Sequence, residues 1–295
     1  MSETTILPDS LVSTSWLVAY LKHPTVRVAD IRGYVRTVDL GGGRQRADYL
    51  GARDEYDAGH IPESVYIDWT TDIVNLANPV PVQIAELDRF ARAMSERGIG
   101  DDSDVVIVDH AGGHFATRLW WALKYYGHDK AAVLEGGYAR WVAEDRPVVR
   151  EASRPRPAVF SPVERPSLRV EIEEVRTLLD DGRTRFIDAR DPSQYRGDIV
   201  RGERRGHLPA AVNVPAKELL TENGDWKPLK EQTRILANAG VASDQRVVAY
   251  CNGGVTATAV LFALHRTGHS QFANYDGSWN EWGDLADTPV VEGDD

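Results

Sequence analysis

The reading of this chain turns on Val247-Val-Ala-Tyr250-Cys251-Asn-Gly-Gly-Val-Thr256. Four residues of apolar character bounded by Arg246 and the thiol have the pattern of a short buried strand. From Thr256 to His265 apolar groups fall at 259, 260, 261, 263 and 264, too dense for a half-exposed strand and suited to a buried helix. Cys251 therefore sits in a strand-to-helix turn at the C-terminal edge of a parallel sheet, where open α/β folds bind ligands. Gly253 and Gly254 let consecutive amides turn inward as an anion nest. The helix N-terminus adds about half a positive charge. Both effects favour negative charge on the sulfur and on a substrate beside it. The plain alternative is a small buried hydrophobe that ends a strand.

Working outward, the phrases around this turn occur twice. Leu134-Glu-Gly-Gly-Tyr-Ala-Arg-Trp141 answers Tyr275-Asp-Gly-Ser-Trp-Asn-Glu-Trp282, and Gly127-His128 answers Gly268-His269. Gly59-His-Ile-Pro62 answers Gly206-His-Leu-Pro209, and Val28-Ala-Asp-Ile-Arg32 answers Phe186-Ile-Asp-Ala-Arg190. The order is kept, but Asp30 and His60 lie about eleven residues further apart than Asp188 and His207. Fixed-order self-similarity of this kind marks a duplication, with an insertion in the first copy around Gly41-Gly42-Gly43. Helical spacing at Gln83–Met94 and Glu171–Leu179, alternating with short strands, predicts an α/β fold. Each copy is a mostly parallel sheet with helices on both faces. Four prolines between Arg150 and Pro166 mark a semi-rigid linker. The expected division is 1–154, a linker 155–167, and 168–295.

Composition narrows the function classes. Cys251 is the single cysteine of 295 residues, which excludes intrachain disulfides and multi-thiolate metal or iron–sulfur sites within one chain. With 34 basic against 45 acidic residues the net charge is −11, so neither nucleic acid nor an anionic membrane is an expected partner. No apolar run reaches the roughly 18 residues of a bilayer span. The polar, acidic start from Met1 to Asp9 does not read as an export signal, and a cytoplasmic location is expected.

Taken together, Cys251 with its loop, Asp188-Ala-Arg190, Gly206-His-Leu-Pro-Ala-Ala-Val-Asn213 and Tyr275–Trp282 resemble the tandem-domain rhodanese family. That family comprises thiosulfate and 3-mercaptopyruvate sulfurtransferases, and the likeness runs from about Leu11 to Trp282. It implies ping-pong transfer of sulfane sulfur through a Cys251 persulfide to cyanide or a thiol, with no metal or organic cofactor. Amides of Asn252, Gly253, Gly254, Val255 and Thr256 would hold the anionic sulfur. In the first copy Asp109 stands at the nucleophile's position, so that domain is expected to be catalytically silent. His114 and Phe115 fall where the family has aromatic residues facing the cysteine, whereas Trp120 and Trp121 read as helix packing.

The donor is less sharply specified. Asn252-Gly253 lacks both the basic groups of thiosulfate enzymes and the Gly-Ser pair of mercaptopyruvate enzymes. Gln194 occupies the position of the family's substrate-binding arginine. Among Arg196, Arg201, Arg204 and Arg205, the phrase Tyr195-Arg196-Gly197 makes Arg196 the leading replacement. Asp188 and Arg190 are expected to support the loop, and His60 and His207 to be structural. Phosphatases of related fold need Cys-x5-Arg, and the sixth residue after Cys251 is Ala257. A carrier that takes sulfur only from a partner protein remains the non-enzyme alternative.

Overall fold

The structure, a computed structural model, describes residues 5–110 and 113–294. Among the described residues thirteen strands are formed, the first seven being β1 (Leu11–Val12), β2 (Val26–Asp30), β3 (Gly33–Gly41), β4 (Arg44–Gly51), β5 (Ser64–Tyr66), β6 (Asp104–Val108) and β7 (Ala131–Leu134). The second copy supplies β8 (Arg169–Val170), β9 (Arg185–Asp188), β10 (Val200–Arg201), β11 (Val212–Asn213), β12 (Val247–Tyr250) and β13 (Phe272–Tyr275).

Two five-stranded sheets result, ordered β1-β7-β6-β2-β5 and β8-β13-β12-β9-β11, the same topology built twice. Every pairing within them is parallel. Residues Asp104–Val108 and Val247–Tyr250 are buried along their whole length, as sheets covered on both faces require. In each copy the central strand is followed by a helix, His114–Tyr125 or Ala257–Arg266. Each helix packs its own sheet on one side and the other helix on the opposite side, which explains why both are apolar nearly all round. The helices meet at a local dyad, where the hydroxyls of Thr117 and Thr258 lie 3.0 Å apart and Trp120 meets Phe262 edge-on at 5.0 Å. One apolar core thus runs through both copies, while a smaller core covers the outer face of each sheet.

The extra residues of the first copy form the hairpin β3–β4, which departs from the duplicated plan. It reaches the second copy and pairs there with β10, Val200 opposite Arg44 and Arg201 opposite Gln45. Gly43, at φ 76°, brings its backbone so close to Asp198 O that a Cβ would sit 2.8 Å away. The first predicted amphipathic helix begins at Leu87 rather than Gln83. Gln83 O accepts from Asn75 N, Ile84 bridges Val74, and Ile84 N donates to Asp276 in the second copy, so this stretch is engaged elsewhere. Residues 151–165 carry no helix or strand and are laid on the first copy, with Ala158 N bonded to Ser95 O and Phe160 against Phe90. No described helix is long and apolar enough to cross a membrane.

Candidate active site

The duplication is reproduced atom by atom at the two sheet edges. In the second copy Arg190 Nε donates to both Asp188 oxygens at 3.0 Å, its Nη2 donates to Gly206 O at 2.7 Å, and its guanidinium lies 4.4 Å from the Trp279 ring. In the first copy Arg32 does the same with Asp30, Gly59 O and Tyr138. His207 stacks on Tyr195 at 3.6 Å and His60 on Tyr56 at 3.9 Å, each in a buried turn. These groups are saturated by one another and brace the edge on which the loop stands.

Cys251 is 3 % exposed. The carbonyls of its loop are bound outward. Trp279 N donates to Cys251 O at 3.0 Å and Asn280 N to Asn252 O at 2.8 Å. Gly254 O accepts from Asn274 Nδ2 at 3.0 Å and from Arg118 Nη1 at 3.2 Å. Arg118 belongs to the first copy, and it also pairs with buried Asp276 and donates to Val82 O at 3.0 Å. Gly254 has φ 70°, where a Cβ would lie 2.7 Å from Asp276 O, so its sequence position is set by the backbone. With the carbonyls held this way, the amides of residues 252–256 have no acceptor among the described residues. A run of unengaged donors beside a sulfur can hold an anion.

The first copy has the same cradle in a filled state. Asp109, at the end of β6, places its carboxylate on its own loop and accepts from the amides of Gly113 (3.3 Å), Phe115 (3.1 Å) and Ala116 (3.2 Å). Burial nevertheless pushes its carboxyl up to about 6.

A cavity of about 270 Å³ opens over Cys251 and is bounded by both copies. Asn252, Gly253, Val255, Thr256, Gln194 and Arg190 line it from the second copy, and His114 and Val82 from the first. Asn252 Nδ2 donates to Gln194 Oε1 at 2.9 Å. Burial holds the His114 imidazole below the usual histidine range. The hairpin adds Val35, Thr37 and Tyr49, and the second copy adds Arg201 and Lys217.

Two sequence candidates are not brought to this cavity. Arg196 is held at the surface by Asp198, two residues away, at 2.9 Å. The Phe115 ring turns instead onto Trp69, at a centroid distance of 4.8 Å. Arg201, rather than Arg196, lines this cavity. It makes no ion pair among the described residues, and Thr37 Oγ1 accepts from its Nη2 at 3.0 Å. Lys217 is already paired with Asp191. Arg118 is a residue that sequence reasoning missed, because nothing local marks its reach into the other copy.

The comparisons agree with this duplicated architecture. The model of the rhodanese-like domain matches twice, at residues 13–144 and 171–285. Thiosulfate sulfurtransferase of Rattus norvegicus is 34 % identical over 288 residues, covering 94 % of this chain and 93 % of its own. The sulfur carrier protein TtuD of Thermus thermophilus is 29 % identical over 301 residues, covering 98 % of each. Among solved structures, SseA from Escherichia coli, described as a 3-mercaptopyruvate sulfotransferase with the rhodanese fold, superposes with a TM-score of 0.78. It shares 29 % identity, over 92 % of this chain and 98 % of that one. With two matched domains and full-length relatives, this chain belongs to the rhodanese-like domain family.

Proposed function

We propose that the protein is a sulfurtransferase that moves sulfane sulfur from thiosulfate to cyanide or a thiol through a persulfide on Cys251. The observation that carries this reading is the contrast between the two loops. One has its amides filled by the Asp109 carboxylate, and the other presents unengaged amides of residues 252–256 around a thiol. The Cys251 thiolate attacks the outer sulfur of thiosulfate, the new S–S bond forms, and sulfite leaves with the electron pair of the old one. The loop amides stabilise the terminal sulfur anion, as an oxyanion hole does for oxygen. Cyanide or a thiolate then attacks that terminal sulfur and restores the Cys251 thiolate. Arg201 supplies the cation for the donor's anionic end, in place of the absent basic loop residues and of Gln194. Arg190, Asp188 and Arg118 hold the loop from behind. In this reading residues 1–154 form the silent domain, 155–167 the linker and 168–295 the catalytic domain.

The apolar walls Val35, Val82, Pro215 and Ala216 favour a second donor, 3-mercaptopyruvate, whose carboxylate would meet the same arginine. A carrier loaded only by a partner's thiol fits less well, since Cys251 is 3 % exposed and lies beneath residues of both copies.

The test is intact mass after incubation with each donor, followed by specificity constants with cyanide as acceptor. Wild type gains about 32 Da, one sulfur atom. Cys251→Ser gains nothing and loses turnover while keeping its fold. Comparable turnover in that variant overturns the mechanism.

A further inference from the structure

We infer that the β3–β4 hairpin is a specificity element of the opposite domain's site, and that Thr37 is the residue through which it positions Arg201. The inference rests on the cavity over Cys251 being the donor site.

The hairpin has no counterpart in the second copy, where Asp191 and the helix Pro192–Tyr195 follow Arg190 directly. A two-stranded hairpin on its own is marginally stable, and most of β3 is exposed. It is fixed by what it reaches. Its tip binds the second copy through Val200 N donating to Gly43 O at 2.8 Å, and β10 continues β4 as a third strand. Its base is anchored by Asn280 Nδ2 donating to Tyr49 Oη at 3.1 Å, and the backbone amide of the same residue donates to the carbonyl of Asn252.

Pairing with β4 fixes the backbone of Arg201, the last residue of its two-residue strand, so the side chain direction follows from register. Arg201 is drawn towards the cavity, and Thr37 Oγ1 accepts from one of its two terminal nitrogens. One guanidinium edge is thereby fixed, and the planar group keeps further donors for a bidentate anion. An arginine without that contact would sample several rotamers and lose binding, not chemistry. The hairpin therefore acts on recognition of the anionic end of the donor, while the sulfur loop acts on bond exchange.

Thr37→Val keeps shape and strand preference but removes the acceptor. We expect a rise of about five-fold in KM for thiosulfate and for 3-mercaptopyruvate, the size of a partly exposed hydrogen bond to a charged group. The kcat stays within two-fold, and alkylation of Cys251 by neutral iodoacetamide keeps its wild-type rate, since neither reports anion binding. Thr37→Ser restores KM. A KM within about two-fold of wild type in Thr37→Val, or an equal loss in kcat and alkylation, overturns the positioning role. Failure of wild type to gain sulfur from either donor would instead overturn the proposed function itself, so the two are separable.

Discussion

Gly253 and Val82 meet across the boundary between the copies, and their contact fixes a prediction in magnitude. Gly253 has no unusual backbone angle, yet a Cβ there would lie 2.5 Å from Val82 Cγ2 and 3.0 Å from Asn280 Nδ2. Carbon atoms normally rest about 3.5–4.0 Å apart, so Gly253→Ala forces either the loop or Val82 to move by about 1 Å. Val82 is badly placed to yield. Its φ is 58°, a conformation that β-branched residues avoid, and its carbonyl is held by Arg118. Overpacking of this kind costs about 1–3 kcal/mol. Val82→Gly removes the clashing methyls and relieves about 1–2 kcal/mol of left-handed strain, against a similar loss of about 1.5–2 kcal/mol of buried apolar surface. That single change is therefore close to neutral. In its background Gly253→Ala should cost about 1–2 kcal/mol less than in wild type, a coupling typical of touching residues. Urea denaturation of the four proteins measures the coupling. The rate of persulfide formation follows it, because a loop displaced by about 1 Å loses on the order of a hundred-fold in rate. An alanine penalty equal in both backgrounds to within about 0.5 kcal/mol refutes the contact as the reason for glycine at 253.

Two further outcomes follow from the charges. Arg201→Met should raise KM for thiosulfate about ten-fold or more, as loss of a charge-assisted contact does, whereas Arg196→Met leaves it unchanged; steady-state kinetics that reverse this order reject Arg201 as the anion-binding residue. Asp109 stands at about 6 in the folded chain against an ordinary 3.8, so the folded state binds its proton more tightly than the unfolded state. Its contribution is present below about pH 4 and is lost as pH rises through about 6. Asp109→Asn removes that loss, so the variant's stability should gain on wild type across the window by up to about 3 kcal/mol. Denaturation curves that stay parallel from about pH 4 to about pH 7 contradict this, and a fall in sulfur transfer like that of Cys251→Ser contradicts the silent domain.

What could be read from sequence were features whose cause is local. Val247–Tyr250 and Asp104–Val108 are strands because they are short apolar runs with polar ends, and Cys251 stands at the loop because a strand, two glycines and a helix follow one another. The duplication and the family likeness then put Asp109 at the position equivalent to that of the thiol. Features set by contacts between the copies left no such mark. Periodicity reports that a residue is buried, not what buries it, so it does not mark Arg118, whose partners lie in the other copy. Arg201 reaches the cavity because β10 pairs with Arg44 and Gln45, far away in the chain. The family phrase around Tyr195-Arg196-Gly197 pointed instead to a neighbour that Asp198 retains at the surface. The late start of the helix at Leu87 has the same origin, since Asp276 of the other copy takes the amide of Ile84.

The hairpin also bears on how such a chain can change. Its first residues also contact the first copy's own sheet edge, where the Tyr34 ring lies 4.6 Å from that of His110 and its hydroxyl donates to Glu55. The same insertion thus touches one copy's sheet edge and furnishes a wall of the cavity over the other's thiol. The two copies are therefore not interchangeable, since the cavity that the hairpin walls lies over the second copy's loop. A surface ribbon with no counterpart in the second copy thus makes the binding cavity of one half depend on the other.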